Sequence, residues 1–261
     1  MNRHPVKAKK HLGQHFLNDD QAASAIVDAL SGHGGYAHVL EIGPGTGVLS
    51  RLLFAQSAYA VFLIDIDTES IVYLKKEFPD HADRVIEGDF LTFDPDRVFS
   101  SSFAVIGNFP YNISSQIMFR ILELRDRVPE VVGMFQKEVA ERIASGPGNR
   151  DYGILSVLLQ AYFDVELLFG LDEHAFTPPP KVKSAVIRCR RKIGFELPCD
   201  PVLFKKTVKA AFNQRRKTLR NALSVLLPKD QMEGLPFLEL RAEALHWSQF
   251  VELTNAISQR L

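Results

Sequence analysis

The sequence is poor in cysteine, in long apolar runs and in net charge, and each shortage excludes a class of protein. Its two cysteines, Cys189 and Cys199, are too few for a disulfide scaffold or a four-ligand structural zinc site, so a reducing, cytoplasmic location is expected. No stretch approaches the ~18 consecutive apolar residues of a spanning helix, and the basic N-terminal stretch is followed by no apolar run, so neither membrane insertion nor secretion is expected. The eight histidines are scattered without ligand spacing, and no metal is expected. Repeats and low-complexity tracts are absent. What is present is a chain of 261 residues, 46% hydrophobic and 24% charged. That composition excludes a disordered or collagen-like protein and suits a domain of ordinary size with a smaller one attached.

The net charge is zero, 31 basic against 31 acidic residues, but the distribution is uneven. Residues 181–229 hold fourteen Lys or Arg against Glu196 and Asp200, a local +12 that leaves −12 for the rest. Such a separation points to a polyanionic partner, with a solvated basic face as the blander alternative. A smaller cluster, Arg3, Lys7, Lys9 and Lys10, opens the chain.

Apolar runs at 38–42, 60–64, 84–87, 103–107, 131–135, 165–169 and 185–189 read as strands. Helical patterns at 22–30, 47–56, 68–77, 115–124 and 154–162 lie between most of them, the alternation of a largely parallel sheet covered on both faces. The last two strands have no helix between them. A loop, Phe176-Thr177-Pro178-Pro179-Pro180, joins them, which predicts that the sheet ends in an antiparallel hairpin. Beyond residue 194 the strand signals stop, and Val202, Phe204, Val208 and Phe212, then Phe250, Leu253 and Ile257, recur at helical spacing. The expected division is an α/β domain over 1–194 and a helical domain over 195–261.

Glu41-Ile42-Gly43-Pro44-Gly45-Thr46-Gly47 follows the first long strand and opens a helix. A glycine turn there lets backbone approach a ligand closely, or serves tight strand–helix packing. It is no P-loop, because no Gly-Lys-Ser/Thr follows. It is no dinucleotide fingerprint either, since the third glycine comes one residue early. Asp65, twenty residues past Gly45 and ending the second strand, suits a ribose acceptor. Asp67 reads as a helix N-cap. Asp89, ending the third strand, suits an acceptor for an exocyclic amine or a turn stabiliser. These ends converge on the carboxyl edge of the sheet, where open α/β folds bind ligands, and the pattern suits a nucleoside without phosphates.

Asn108-Phe109-Pro110-Tyr111 follows the fourth strand. An amide oxygen that accepts, a proline that fixes the chain and frees its own carbonyl, and a tyrosine face for stacking suit a planar amine substrate. Here the chain resembles the class I methyltransferases that modify exocyclic amines with S-adenosylmethionine, and more narrowly the KsgA-type ribosomal RNA adenine N6,N6-dimethyltransferases. The resemblance runs through five blocks at 13–18 (Gly-Gln-His-Phe-Leu-Asn), 41–47, 108–114, 176–186 and 212–223. His15 stands where the family often has Asn, and Phe109 where Leu is commonest.

The resemblance implies a seven-stranded Rossmann-like methyltransferase sheet, mostly parallel with its last strand antiparallel, followed by a small all-helical domain. It implies that His15 and Leu17 contact the methionine part of S-adenosylmethionine, that Gly43 and Gly45 line the cofactor, that Asp65 holds its ribose and that Asp89 holds its adenine amine. Asn108 and Pro110 would orient the reacting nitrogen, with Tyr111 and Phe176 sandwiching the target adenine. The implied substrate is a pair of adjacent adenosines in the 3′-terminal hairpin loop of 16S rRNA, in an immature 30S subunit bound through basic residues of 181–229. A monomer without metal is expected. Three other readings stay open on sequence alone: a large-subunit rRNA methyltransferase of the erythromycin-resistance type, a non-catalytic RNA-binding assembly factor, and a small-molecule methyltransferase. The 212–223 block, the intact 108–111 motif and the +12 segment argue against them in turn.

Overall fold

The computed structural model describes residues 6–261, so Arg3 of the N-terminal basic cluster lies outside the described residues. Seven strands form one sheet: β2 (His38–Ile42), β3 (Ala60–Asp65), β4 (Val85–Glu87), β5 (Phe103–Asn108), β6 (Glu130–Gln136), β7 (Phe163–Leu171) and β9 (Ser184–Arg191). Their order is β4-β3-β2-β5-β6-β9-β7. The β2–β3, β2–β5, β3–β4 and β5–β6 pairs are parallel, and β9 runs antiparallel to β6. Between successive parallel strands lie α2 (Val48–Phe54), α3 (Thr68–Glu77) and α4 (Ser114–Glu123), with α1 (Asp20–Asp28) ahead of β2. Burial on both faces explains the unbroken apolar runs: Phe103, Ala104, Val105 and Ile106 of β5 are all fully buried. Because β2 lies between β3 and β5, successive connections leave it in opposite directions and open a crevice at the carboxyl ends of β2 and β5.

The expected hairpin is more elaborate than the sequence suggested. β7 and β9 are neighbours, but the chain between them detours through β8 (Phe176–Thr177), which pairs antiparallel with β1 (Phe16–Leu17). A two-residue strand carries no alternation to read, so this ribbon is invisible in the sequence pattern. It ties the N-terminal segment to the loop before β9, and Asn18 N–H adds a bond to the Ala175 carbonyl at 2.8 Å.

At the opposite end of the sheet, the Glu130 carboxylate is fully buried. It accepts from Ser31 N–H, Ser31 Oγ and Tyr36 Oη at 2.6–3.2 Å. Burial, with Glu130 beside it, pushes the Tyr36 phenol far up. Paired in this way, a buried acid anchors the loop that leads into β2.

The chain forms two compact units, 6–140 with 166–193 and 141–165 with 194–261. The expected boundary at 194/195 is corrected on one point: residues 141–165 belong to the second unit. There α6 (Ile154–Tyr162) packs against α7 (Pro201–Asn213) and α9 (Trp247–Ser258). Seven of its nine residues are buried, so its apolar pattern has no polar face from which its partner is read. α5 (Lys137–Ala144) runs across the first junction, and α8 (Leu219–Ala222) follows α7. Phe204, Phe212, Phe250, Leu253 and Ile257 are buried as their spacing predicted, while Val202 of the same stripe is exposed.

Gly133 of β6 is a wedge point. A Cβ there would lie 2.7 Å from the Phe135 ring and closer still to Phe109, the buried residue that seats the 108–111 turn. Gly133→Ala is expected to cost about 1–3 kcal/mol by overpacking, lowering Tm by about 2–4 °C per kcal/mol. Gly146→Ala, where nothing lies within 4 Å, should change Tm little. A Gly133→Ala protein melting with wild type would refute the wedge.

Candidate active site

The crevice opens into a cavity of about 180 Å³. Gly43 and Gly45 line it after β2, Asp65 and Ile66 at the end of β3, and Asp89 and Leu91 after β4. Asn108 through Ile113 and the segment 12–16 complete it. The three turn glycines, Gly43, Gly45 and Gly47, all have positive φ, 66°, 55° and 78°, which a side chain disfavours. A Cβ at Gly45 would sit 2.8 Å from the Phe16 ring, so this residue lets the N-terminal segment lie against the turn. Gly47 caps α2, which explains why the third glycine comes one residue early.

Asp65 is 7% exposed. Its two oxygens accept from Asp67 N–H at 2.9 Å and Gly45 N–H at 3.4 Å. Burial pushes its carboxyl above the usual range against those bonds. It is thus an aimed acceptor with lone pairs left for the cavity. Asp67 caps α3 through Glu69 N–H at 3.1 Å, as the sequence suggested, but does more. Its carboxylate also takes Lys9 Nζ at 2.5 Å and Gln14 Nε2 at 3.0 Å, which clamps the N-terminal segment to β3. Against the upward push of burial, Lys9 and Gln14 hold the Asp67 carboxyl below its ordinary range. Asp89 Oδ1 accepts from Leu91 N–H at 2.9 Å, the turn role, while its side chain lines the cavity. Ile66, 57% exposed, and Leu91 add apolar surface beside these acids. Sequence reasoning passed over both; for Ile66 the signal was an isoleucine set between a strand-end aspartate and a helix-capping one.

Asn108 Nδ2 donates to the His15 carbonyl at 2.7 Å. Since a carbonyl only accepts, the amide's orientation is fixed and Oδ1 remains as the acceptor. The Pro110 carbonyl, expected to be free, accepts Ile113 N–H at 3.2 Å in the turn that enters α4, so only its second lone pair remains. Tyr111 Oη shares a 2.5 Å hydrogen bond with Ser184 Oγ. Burial pushes the Tyr111 phenol up, with Ser184 opposing. Its ring stacks on His15, centroids 5.3 Å apart at 26°. Leu17 lies outside the main cavity, in a small adjoining recess with Glu41, Gly43 and Asn108.

Phe176 lies apart from the other expected site residues. It is 2% exposed and sits in the apolar core cluster with Leu17. It pairs with Leu17 in the ribbon and lines neither this cavity nor the next. A second cavity, about 440 Å³, is lined by residues 178–182, Lys10 and Gln136, and shares Gly13, Gln14, His15 and Tyr111 with the first. Among the described residues no group of three His, Cys, Asp or Glu is arranged to hold a metal ion.

Glu41, quoted above only as part of its motif, is a buried acid one layer below the glycine turn. Ser50 Oγ donates to it at 2.6 Å. Burial pushes its carboxyl up from 4.5 to about 8, with Ser50 opposing and Asp65 adding. The folded state then holds a proton that the unfolded chain releases near 4.5, so stability is full below that pH, falls as pH rises, and levels above about 8. Glu41→Gln is expected to flatten this decline, so that Tm against pH from 5 to 8.5 drops less in the variant. Parallel curves would refute the buried proton.

These residues fit S-adenosylmethionine: an aimed buried carboxylate for ribose hydroxyls, apolar faces beside Asp89 for a base, and a turn without side chains. The sequence matches the model of the family Ribosomal RNA adenine dimethylase over residues 6–259. It is 58% identical to the Ribosomal RNA small subunit methyltransferase A of Cytophaga hutchinsonii over 253 residues, covering 97% of this chain and 98% of the relative. Identity is 53% to the protein of that name from Parabacteroides distasonis, over 98% and 95%. The fold matches the crystal structure of a dimethyladenosine transferase from Plasmodium falciparum with a TM-score of 0.79 at 26% identity, over 94% and 98% of the chains. It matches that of the 23S rRNA methyltransferase ErmE with 0.67 at 25%, over 94% and 100%. Fold, cavity and full-length similarity together place this chain in the ribosomal RNA adenine dimethylase family, class I methyltransferases that use S-adenosylmethionine.

Proposed function

We propose that this chain dimethylates N6 of two adjacent adenosines in the 3′-terminal hairpin loop of small-subunit rRNA, in the cytoplasm and on an immature 30S subunit. The observation that carries the reading is the orientation of Asn108. Its amide nitrogen is committed to His15, so its oxygen is the acceptor beside Tyr111, where the two cavities meet. The 53–58% identity to small-subunit enzymes favours this substrate over the large subunit. Among the described residues no helix is long and apolar enough to cross a membrane.

Adenine N6 is a poor nucleophile because its lone pair is delocalised into the ring. Bound S-adenosylmethionine supplies a methyl group on a sulfonium. Asn108 Oδ1 and the remaining Pro110 lone pair accept from N6–H, favour a more tetrahedral nitrogen and aim its lone pair. Tyr111, held by Ser184, offers a fixed face to the ring. Catalysis by these groups is orientation and electrostatics, and no base is needed beforehand, since the methylated nitrogen is acidic and sheds its proton afterwards. Asp65 and Asp89 hold the ribose and the adenine amine of the cofactor, Gly43 and Gly45 line it, and the backbone at His15 and Leu17 flanks its methionine end.

RNA affinity rests on part of the basic segment. Lys183 pairs with Asp172, Arg188 and Arg190 with Glu166, and Arg220 with Glu239. Arg215 donates to the carbonyls of Arg150 and Tyr152. Lys181, Lys206, Lys209, Arg216 and Lys217 are exposed and, among the described residues, have no acidic partner. Lys206 and Lys209 share one face of α7. These are the phosphate contacts.

Each assignment has its own test. Asp65→Ala should weaken S-adenosylmethionine binding by about 2 kcal/mol in calorimetry, the scale of hydrogen bonds to a charged group. Asn108→Ala should lower kcat on undermethylated subunits by ~10²–10³-fold, the scale of one removed electrostatic contact, with subunit affinity near wild type. Mapping the modified nucleotides identifies the substrate; methylation of large-subunit RNA instead would refute the proposal. For the basic surface, replacing Arg216 and Lys217 with glutamate should reduce the slope of log affinity against log salt by about 0.7–0.9 for each phosphate no longer neutralised, leaving cofactor binding unchanged. An unaltered slope would mean that these charges only solvate their surface.

A further inference from the structure

Gln136 is the last residue of β6, and it stands at the carboxyl edge of the sheet between two strands that already serve the site. On one side β5 ends at Asn108, registered with Met134; on the other, Ser184 of β9 lies opposite Gln136 itself. Side chains two apart on a strand, and those paired across strands, share a face of the sheet. Asn108, Met134, Gln136 and Ser184 therefore project from one face, while Phe135 points to the other and meets the Phe109 ring edge-on at 5.2 Å. Ser184 Oγ is the partner of Tyr111 Oη at 2.5 Å, which puts Gln136 on the Tyr111 side. The lining of the second cavity agrees, since Gln136 and Tyr111 both face it.

The backbone at this point is fixed and the side chain is not. Gln136 is paired in the β6–β9 ladder, and the next residue, Lys137, donates its N–H to the Lys183 carbonyl at 2.8 Å. The Gln136 amide is half-buried, but among the described residues it has no hydrogen-bond partner. The other half-buried amides of the described chain, Gln14, Asn108, Gln160 and Gln249, are all bonded. Partly desolvated polar groups are ordinarily satisfied, so a lone open amide on a cavity wall is a group kept for a ligand. Its place in the strand does not depend on its side chain.

Asn108 presents one acceptor, Oδ1, to N6–H. That separates an amine from a carbonyl but leaves the ring nitrogens unread. Beside N6, adenine carries N1, an acceptor on the Watson–Crick edge by which flipped bases are recognised, and a glutamine Nε2 is a matching donor. Gln136 lies one strand across from Asn108, about 4.8 Å, and two residues further out, about 6.6 Å, with a side chain one methylene longer. We propose that Gln136 Nε2 donates to N1 of the target adenine while Asn108 Oδ1 accepts from N6–H, so that the two amides read adjacent atoms of one base edge. Guanine, with O6 and N1–H, presents the reverse pattern and meets a mismatch at both. The assignment rests on the adenine-methyltransferase reading of the site. It makes Gln136 a specificity residue for the base with no part in holding the cofactor, since it lines the second cavity and not the first.

The test is a cycle between protein and base. Wild type, Gln136→Ala and Gln136→Glu are assayed on small subunits reconstituted with undermethylated rRNA whose target positions carry adenosine, 1-deazaadenosine (C–H in place of N1) or 7-deazaadenosine, with calorimetric S-adenosylmethionine affinity and Tm measured for each protein. On adenosine, Gln136→Ala should lose about three- to ten-fold in kcat/KM, the scale of one hydrogen bond, with cofactor affinity and Tm as in wild type. Gln136→Glu, which keeps the size but sets an acceptor against N1, should lose at least as much. The 1-deaza base should cost wild type more than it costs Gln136→Ala by that same factor, because the variant has already lost the contact, whereas the 7-deaza base should cost both alike. Equal 1-deaza penalties in the two proteins overturn the contact. So does wild-type kcat/KM in Gln136→Ala or in Gln136→Glu. Cofactor affinity or Tm falling in step with kcat/KM in Gln136→Ala also overturns it, in favour of a structural role. A wild type inactive on adenosine subunits overturns the proposed function and the contact with it, whereas an active wild type with equal penalties overturns the contact alone.

Discussion

The site depends on one hydrogen bond, from the Asn108 amide nitrogen to the His15 carbonyl. It joins the end of β5 to a segment some ninety residues earlier in the chain, and it does two things together. It settles which atom of the amide is left to accept, and it holds residues 12–16 as the wall that both cavities share. The other contacts of this segment reinforce that placement. Lys9 and Gln14 reach Asp67 on one side, and Phe16 and Leu17 pair with Thr177 and Phe176 on the other. Gly45 lacks the Cβ that would strike Phe16. With these contacts in place the segment does not depend on Asn108 alone, whereas the amide's orientation does depend on the His15 carbonyl.

Buried acids set the electrostatics around that wall, and their surroundings separate them into roles. Asp67, with a lysine and an amide on its oxygens, is held ionised and serves as a clamp. Asp65 has only backbone donors, which aim it without neutralising it. Glu41 has one hydroxyl and deep burial, so its proton stays on near neutral pH. Three acids within 27 residues thus differ because the number and charge of their donors differ, which is the ordinary physics of a desolvated carboxyl.

Much of this was legible in the sequence. Strand positions followed from apolar runs, since a sheet covered on both faces leaves no other pattern, and the glycine turn, Asp65, Asp89 and Asn108 followed from their places at successive strand ends. What was not legible arose from contacts without a local signature. The ribbon of β1 and β8 is too short for alternation, so the pairing of Phe176 with Leu17 was hidden. The pairing of Lys9 and Gln14 with Asp67 spans more than fifty residues. α6 was assigned to the sheet because a helix buried on nearly every side carries no phase that says which partner it meets. The stacking of His15 on Tyr111 needed three loops in place before it existed.

The basic segment shows the same limit for charge. Counting gives +12 over 181–229, but a count does not assign partners. The arginines of β9 alternate with core residues, and Arg188 and Arg190 reach Glu166 on the neighbouring strand. Their charge is spent on the sheet edge, where a like-charged row would otherwise repel itself. Arg220 is matched by Glu239 in the same way. A polyanion is left to meet mainly the cations that the fold leaves unmatched, among them Lys181 at the second cavity and the lysines of α7. Their number, smaller than fourteen, sets how strongly salt weakens the complex, because only charges that exchange small ions for phosphates contribute to that dependence.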